Sequence, residues 1–125
     1  MEPAVNQKLQ QAIAAQKEGK IEEAERLYKS ILKTQPTNEH VNHNLGILLV
    51  SQNKSADALP LFKTAVEIKS DIEQFWYSYS YTLIKEKKFE EAEAISRKAI
   101  KLNPNFQTIH FNLGFILDKL GKLNE

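Results

Sequence analysis

Small residues recur in this sequence at a step of 34, and that step restricts the chain to a row of repeated units. Ala24, Ala58 and Ala92 hold one phase of the step, and Ala12, Gly46, Ser80 and Gly114 hold another. Gly19, Asn53, Lys87 and Gly121 recur at a presumed turn, and Pro36, Ser70 and Pro104 at a presumed helix end. Ile21, Phe89 and Leu123 share a further phase, from which Ser55 departs. Small side chains repeat where two helices must approach closely, because a larger one would force them apart. With only 4 glycines in 125 residues, and Ala, Leu, Lys and Glu dominant, the chain leans helical.

Residues at other phases add a signature. Trp76 is followed by Tyr79, Ser80 and Leu83, while Leu45-Gly46 and Leu113-Gly114 form matching pairs. Tyr28 and Phe62 share an aromatic position ahead of Ala65 and Ala99, with Pro36 and Pro104 beyond. In spacing and residue type the chain resembles the tetratricopeptide repeat family over residues 5 to 125. Ser96 stands where an aromatic is usual, Ser70 where proline is, and Lys8, Asn42 and His110 where tryptophan is. The resemblance implies an all-α solenoid of antiparallel helix pairs. Three full repeats are expected at about 5–38, 39–72 and 73–106, and the first helix of a fourth at 107–125.

Local chemistry agrees. Glu22, Glu23, Glu90 and Glu91 fall in first turns, where the helix dipole favours anions. Lys33, Lys69 and Lys101 fall in last turns, where it favours cations. Ser55 is expected to cap its helix, and Pro60 to bend one mildly.

Composition removes several functional classes. Cysteine is absent, which excludes a disulfide framework, a Cys-ligated zinc site and a thiol nucleophile. A net charge of +1 gives no electrostatic case for nucleic acid. The opening MEPAVNQKLQQA has no apolar signal region, and no apolar run approaches the ~18 residues of a membrane span. A cytoplasmic protein is expected, and 42% hydrophobic residues argue against disorder.

No constellation supports catalysis. His40 and His43 sit three apart on one helix, but a metal needs a third ligand and His110 lies two repeats away. The paired glutamates point apart on their helices. Phosphate loop, nucleophile elbow and triad order are all missing, so no enzyme activity and no cofactor are expected of this chain.

The informative pattern is a second apolar stripe on the first helices. It runs through Leu9 and Ile13, then His43, Ile47 and Val50, then Tyr77, Tyr81 and Ile84, then Phe111 and Phe115. A helix apolar on two faces is either fully buried or offers one face to something else. In tetratricopeptide arrays these positions line a concave surface, so the resemblance implies a ligand groove. Packing between neighbouring first helices is an equal alternative for Ile13 and Ile47. Tyr77, Tyr81, Phe111 and Phe115 are larger than such packing requires, and exposure is expected for them.

The sixth position of each repeat reads Gln10, Asn44, Ser78 and Asn112, groups that both donate and accept. NHNLGILL and HFNLGFIL are similar to repeats of O-linked N-acetylglucosamine transferases, a family whose asparagine ladder grips peptide backbones. The carboxylate clamp of chaperone-binding relatives is not matched. Leu9, Ile13, Gln74 and Ser78 occupy its places, with Asn44 the one agreement.

The expected function is a scaffold that binds a protein or peptide partner in a concave groove, as an extended or helical segment. The alternative is the N-terminal substrate-recruiting or oligomerising module of a larger glycosyltransferase- or sulfotransferase-like enzyme. Met1, with a break in mid-repeat at Glu125, suggests the N-terminal part of a longer protein. Leu113, Leu117 and Leu120 would lack a partner helix, so homodimerisation through the C-terminal helix is expected.

Overall fold

The computed structural model describes residues 3–121. Among them are seven helices and no strand: α1 (Pro3–Lys17), α2 (Ile21–Thr34), α3 (Glu39–Ser51), α4 (Ser55–Ile68), α5 (Glu73–Lys85), α6 (Phe89–Leu102) and α7 (Gln107–Lys119). The chain is the all-α solenoid that its repeat step implies. Helix α1 pairs with α2, α3 with α4 and α5 with α6, and each second helix also packs on the next first helix. Leu123 lies outside the described residues. None of the described helices is long and apolar enough to cross a membrane.

The small positions are where helices meet. Ala12, Ala24, Ala58, Ser80 and Ala92 are wholly buried. At Gly46 an added β-carbon would stand 2.5 Å from Phe62 Cε1, whereas at Gly114 it would meet nothing within 4 Å. The difference follows from the stacking: α4 covers α3, and no described helix follows α7. Larger side chains fill the spaces between, with Tyr28, Ile31, Leu48, Phe62, Trp76, Leu83, Ile109 and Ile116 forming one continuous core. Ser96, in the place taken by Tyr28 and Phe62 in earlier repeats, is buried with its Oγ unpaired.

The turns inside each pair share one geometry. Gly19, Asn53, Lys87 and Gly121 have φ of 78°, 62°, 60° and 73°. Lys20, Lys54 and Lys88 each donate a backbone N–H to the carbonyl five residues back, at 2.8, 2.9 and 2.9 Å. That bond closes the helix end around a left-handed residue.

The turns between pairs are tied by the fourth position of each repeat. Trp76 Nε1 donates to the Ser70 carbonyl at 2.8 Å, Asn42 Nδ2 to that of Pro36 at 3.1 Å, and His110 Nε2 to that of Pro104 at 2.8 Å. Three unlike side chains make one bond. In the first repeat Lys8 Nζ donates instead to Ser30 Oγ at 3.0 Å.

The capping expectations need two corrections. Ser55 is the first residue of α4, and the cap position belongs to Lys54, whose side chain makes no capping bond. Lys69 stands one residue past the helix, not in its last turn. Asn38 supplies a true cap, its Oδ1 accepting the Val41 N–H at 3.1 Å. Pro60 is accommodated inside α4, which continues through it as a single helix to Ile68.

Candidate functional site

Successive first helices are joined by polar side chains. His43 Nε2 and Ser78 Oγ share a hydrogen bond of 2.8 Å between α3 and α5. Asn112 Nδ2 donates to Ser80 Oγ at 2.9 Å between α7 and α5. At the helix starts, Glu73 Oε2 accepts from Thr108 N at 3.0 Å and from Thr108 Oγ1 at 2.6 Å, which holds its carboxyl below the usual range. His43 also stacks on Phe75, ring centroids 4.7 Å apart, and leans on Phe62 at 5.6 Å.

These contacts change the place of three expected groove residues. His43 is 8% exposed, Asn112 6%, and Ser78 is equally buried, because the neighbouring first helix covers them. Burial pushes the His43 imidazole down to about 4, with the Asn44 contact opposing and His40 adding to the shift. Asn44 is half-buried beside the Tyr28 hydroxyl and the His43 ring. Tyr28 in turn donates to Gln16 Oε1 at 2.7 Å.

Of the rest of the stripe, Leu9, Val50, Tyr77 and Ile84 are half-buried against the core, and the others include large exposed residues. Phe111 is 78% exposed, and Ile47, Tyr81 and Phe115 are exposed with it. Tyr77 is half-buried and stacks on Tyr81, with centroids 5.9 Å apart and planes at 17°. Ile13 is half-buried. Lys119 Nζ lies 5.3 Å from the centre of the Phe115 ring. Such large apolar surface, carried by consecutive parallel helices, costs solvation while empty and is covered favourably by an apolar partner.

Three family models, each described as a tetratricopeptide repeat, match residues 15–77, 73–106 and 96–125. The chain belongs to the tetratricopeptide repeat family. Among solved structures it is similar to the crystal structure of MamA, with a TM-score of 0.86 and 21% identity over 98% of this chain and 67% of that one. The Sgt2 TPR domain from Aspergillus fumigatus gives 0.81 and 16% identity over 98% of this chain and 83% of that one. The first TPR of Spaghetti, solved with an HSP90 peptide, gives 0.81 and 20% identity, covering 94% and 93%. At these identities the likeness is one of fold. The chain spans about two thirds of the MamA chain. No curated protein sequence matches it.

As a tetratricopeptide array, the molecule packs α3, α5 and α7 side by side. What the repeat register alone missed is that its polar positions are used between helices. A signal for this was present. His43 and Ser78 are 35 residues apart and Ser80 and Asn112 are 32 apart, each close to one repeat step. Two further surfaces are built by the same array. A cleft behind α5 is walled by Val66, Trp76, Tyr79 and Ile95, with Lys63 and Lys98 at its rim. On α7, Leu113, Leu117 and Leu120 are half-buried, and Leu120 packs against the core. Among the described residues no group of three His, Cys, Asp or Glu side chains is placed to hold a metal ion.

Proposed function

We propose that this tetratricopeptide array is a protein-interaction module whose first helices form a concave groove for a peptide or helix. The observation that carries the reading is the exposed apolar row of Ile47, Tyr81, Phe111 and Phe115 on α3, α5 and α7. The Sgt2 domain shares the fold, as does the Spaghetti repeat, which was solved with an HSP90 peptide. This chain has Leu9 and Ile13 where chaperone-tail binders carry clamp residues, so its partner is held by apolar contact. Asn44 stands at the groove's inner rim, while His43, Ser78 and Asn112 hold the groove's helices in place. The same reading includes self-association through the outer side of α7.

A second reading rests on NHNLGILL and HFNLGFIL. Their similarity to O-linked N-acetylglucosamine transferase repeats fits a module that recruits substrates for an attached transferase domain.

The test is binding of partners recovered with the intact chain, compared with Tyr81→Ala and Phe111→Ala. Removing a central aromatic anchor costs about 2 kcal/mol or more, so each variant should bind at least about thirtyfold more weakly with its melting curve unchanged. Unaltered binding by both variants would refute the groove.

A further inference from the structure

Among the described side chains lining the groove, few hydrogen-bonding groups are left to offer. An extended segment brings one N–H and one C=O per residue, and each must find a partner when covered. Of the four sixth-position groups, Ser78 is tied to His43 and Asn112 to Ser80, while Asn44 is half-buried beside Tyr28 and His43. Only Gln10 is exposed. The remaining surface between α3 and α7 is mostly hydrocarbon and aromatic face, with Asn44, Gln74 and the Tyr77 and Tyr81 hydroxyls its polar groups. Such a surface leaves much of an extended backbone unpaired and suits one that has satisfied itself.

Charge selects further. Lys17, Lys85 and Lys119 each follow a stripe residue (Ile13, Tyr81 and Phe115) by four positions, which places them on the same helix face. All three are exposed, and none is in an ion pair with a described residue. Ser51 takes this place in the second repeat, and Asp118 is the one nearby carboxylate on α7. Helices α5 and α7 pack side by side, so Lys85 and Lys119 stand together along one edge of the groove, with Lys17 apart on α1 beyond Ser51. At the other edge the Glu73 carboxylate is already occupied by Thr108.

Resting on the groove reading above, we infer that the partner is an amphipathic α-helix with an apolar stripe flanked on one side by carboxylates. Its backbone needs nothing from the groove, its stripe covers Ile47, Tyr81, Phe111 and Phe115, and its acidic flank meets Lys85 and Lys119. Neighbouring packed helices lie ~10 Å apart, so the anchors from α3 to α7 span ~20 Å, or about 13 helical residues.

The test is selection of binders to the intact 125-residue chain from a random library of peptides ~16 residues long, about 24 Å as a helix. Expected winners carry apolar residues at i, i+3 or i+4, and i+7, with Asp or Glu beside them and no internal proline. Synthetic copies should gain helical circular dichroism on binding. They should also bind at least about thirtyfold more weakly to folded Phe111→Ala and about tenfold more weakly to Lys85→Glu, the loss of one anchor or one desolvated charge pair. Winners that contain proline or alternate in polarity, yet still depend on Phe111, would overturn the helical partner and leave the groove standing. Binders indifferent to Tyr81→Ala and Phe111→Ala, or no binders at all, would overturn the groove itself.

Discussion

The Phe62 ring closes over Gly46 so tightly that a β-carbon on the glycine would stand 2.5 Å from Cε1. Gly46→Ala must therefore push α3 and α4 apart, and is expected to destabilise by ~1–3 kcal/mol, the usual penalty of overpacking. Gly114 holds the same phase with nothing within 4 Å, so Gly114→Ala should gain up to ~1 kcal/mol from helix propensity alone. Paired urea melts measure both, and equal shifts would contradict the difference in cover.

Trp76→Phe isolates the bond that ties the turn between the second and third pairs. The ring volume largely stays, but the Ser70 carbonyl loses its donor at 2.8 Å. A cost of ~1–2 kcal/mol is expected, made of the lost bond and some packing. Asn42→Ala should cost a similar ~1–2 kcal/mol, because Asn42 is buried and serves both Pro36 and Asn38 carbonyls. Thermal denaturation of the two variants is the measurement, and an unchanged Asn42→Ala would show that the bond contributes nothing.

That pair explains what could and could not be read in advance. The 34-residue step names small seats and left-handed turns, features set by backbone and steric demands within one helix pair, so the seven helices were legible. Asn42 and His110 looked like departures from Trp76, because residue type hides a shared geometry: a side-chain N–H six residues after a carbonyl. The exposure of Tyr81, Phe111 and Phe115 followed from size and spacing, whereas Tyr77, expected to be exposed with them, is half-buried against the core. The burial of His43, Ser78 and Asn112 did not, because it depends on a helix one repeat away.

His43 gives the stability a pH dependence. Its imidazole sits at about 4 in the folded chain against an ordinary 6.5, because burial disfavours the charged ring. Between these values the unfolded chain binds the extra proton, so stability is complete above pH 6.5 and declines as pH falls toward 4. The decline should reach roughly 3 kcal/mol, since each pH unit across this window removes about 1.4 kcal/mol. His43→Gln should flatten this window while leaving the carboxylate losses below it. A wild type and variant with parallel pH profiles would exclude the histidine as the cause.

Lys87 stands at φ 60° in a turn whose counterparts are Gly19 and Gly121. A side chain in the left-handed region costs ~1–2 kcal/mol that glycine avoids, offset in part by glycine's larger entropy when unfolded. Lys87→Gly is therefore expected to raise stability by ~0.5–1 kcal/mol. Asn53, at φ 62°, should gain less from the same change, since Asn tolerates this conformation. Chemical denaturation curves decide it, and a loss at Lys87 would mean that its side chain makes a contact worth more than the strain.

The outer side of α7 carries the last expectation. Where Phe62 meets Gly46 on α3, nothing lies within 4 Å of a β-carbon at Gly114, and Leu113, Leu117 and Leu120 on the same helix are half-buried. A second copy presenting the same face can bring a side chain to each glycine, and the two-fold arrangement makes the contact self-complementary. Covering the exposed parts of three leucines on both partners should contribute ~1 kcal/mol per side chain, enough to favour dimers at high protein concentration. Sedimentation should show the wild type as a concentration-dependent dimer. Leu113→Glu with Leu117→Glu should remain monomeric while keeping its helical spectrum. A variant that dimerises as well as the wild type would move the contact to the exposed Phe111 and Phe115 face, and with it the assignment of that face to a foreign partner.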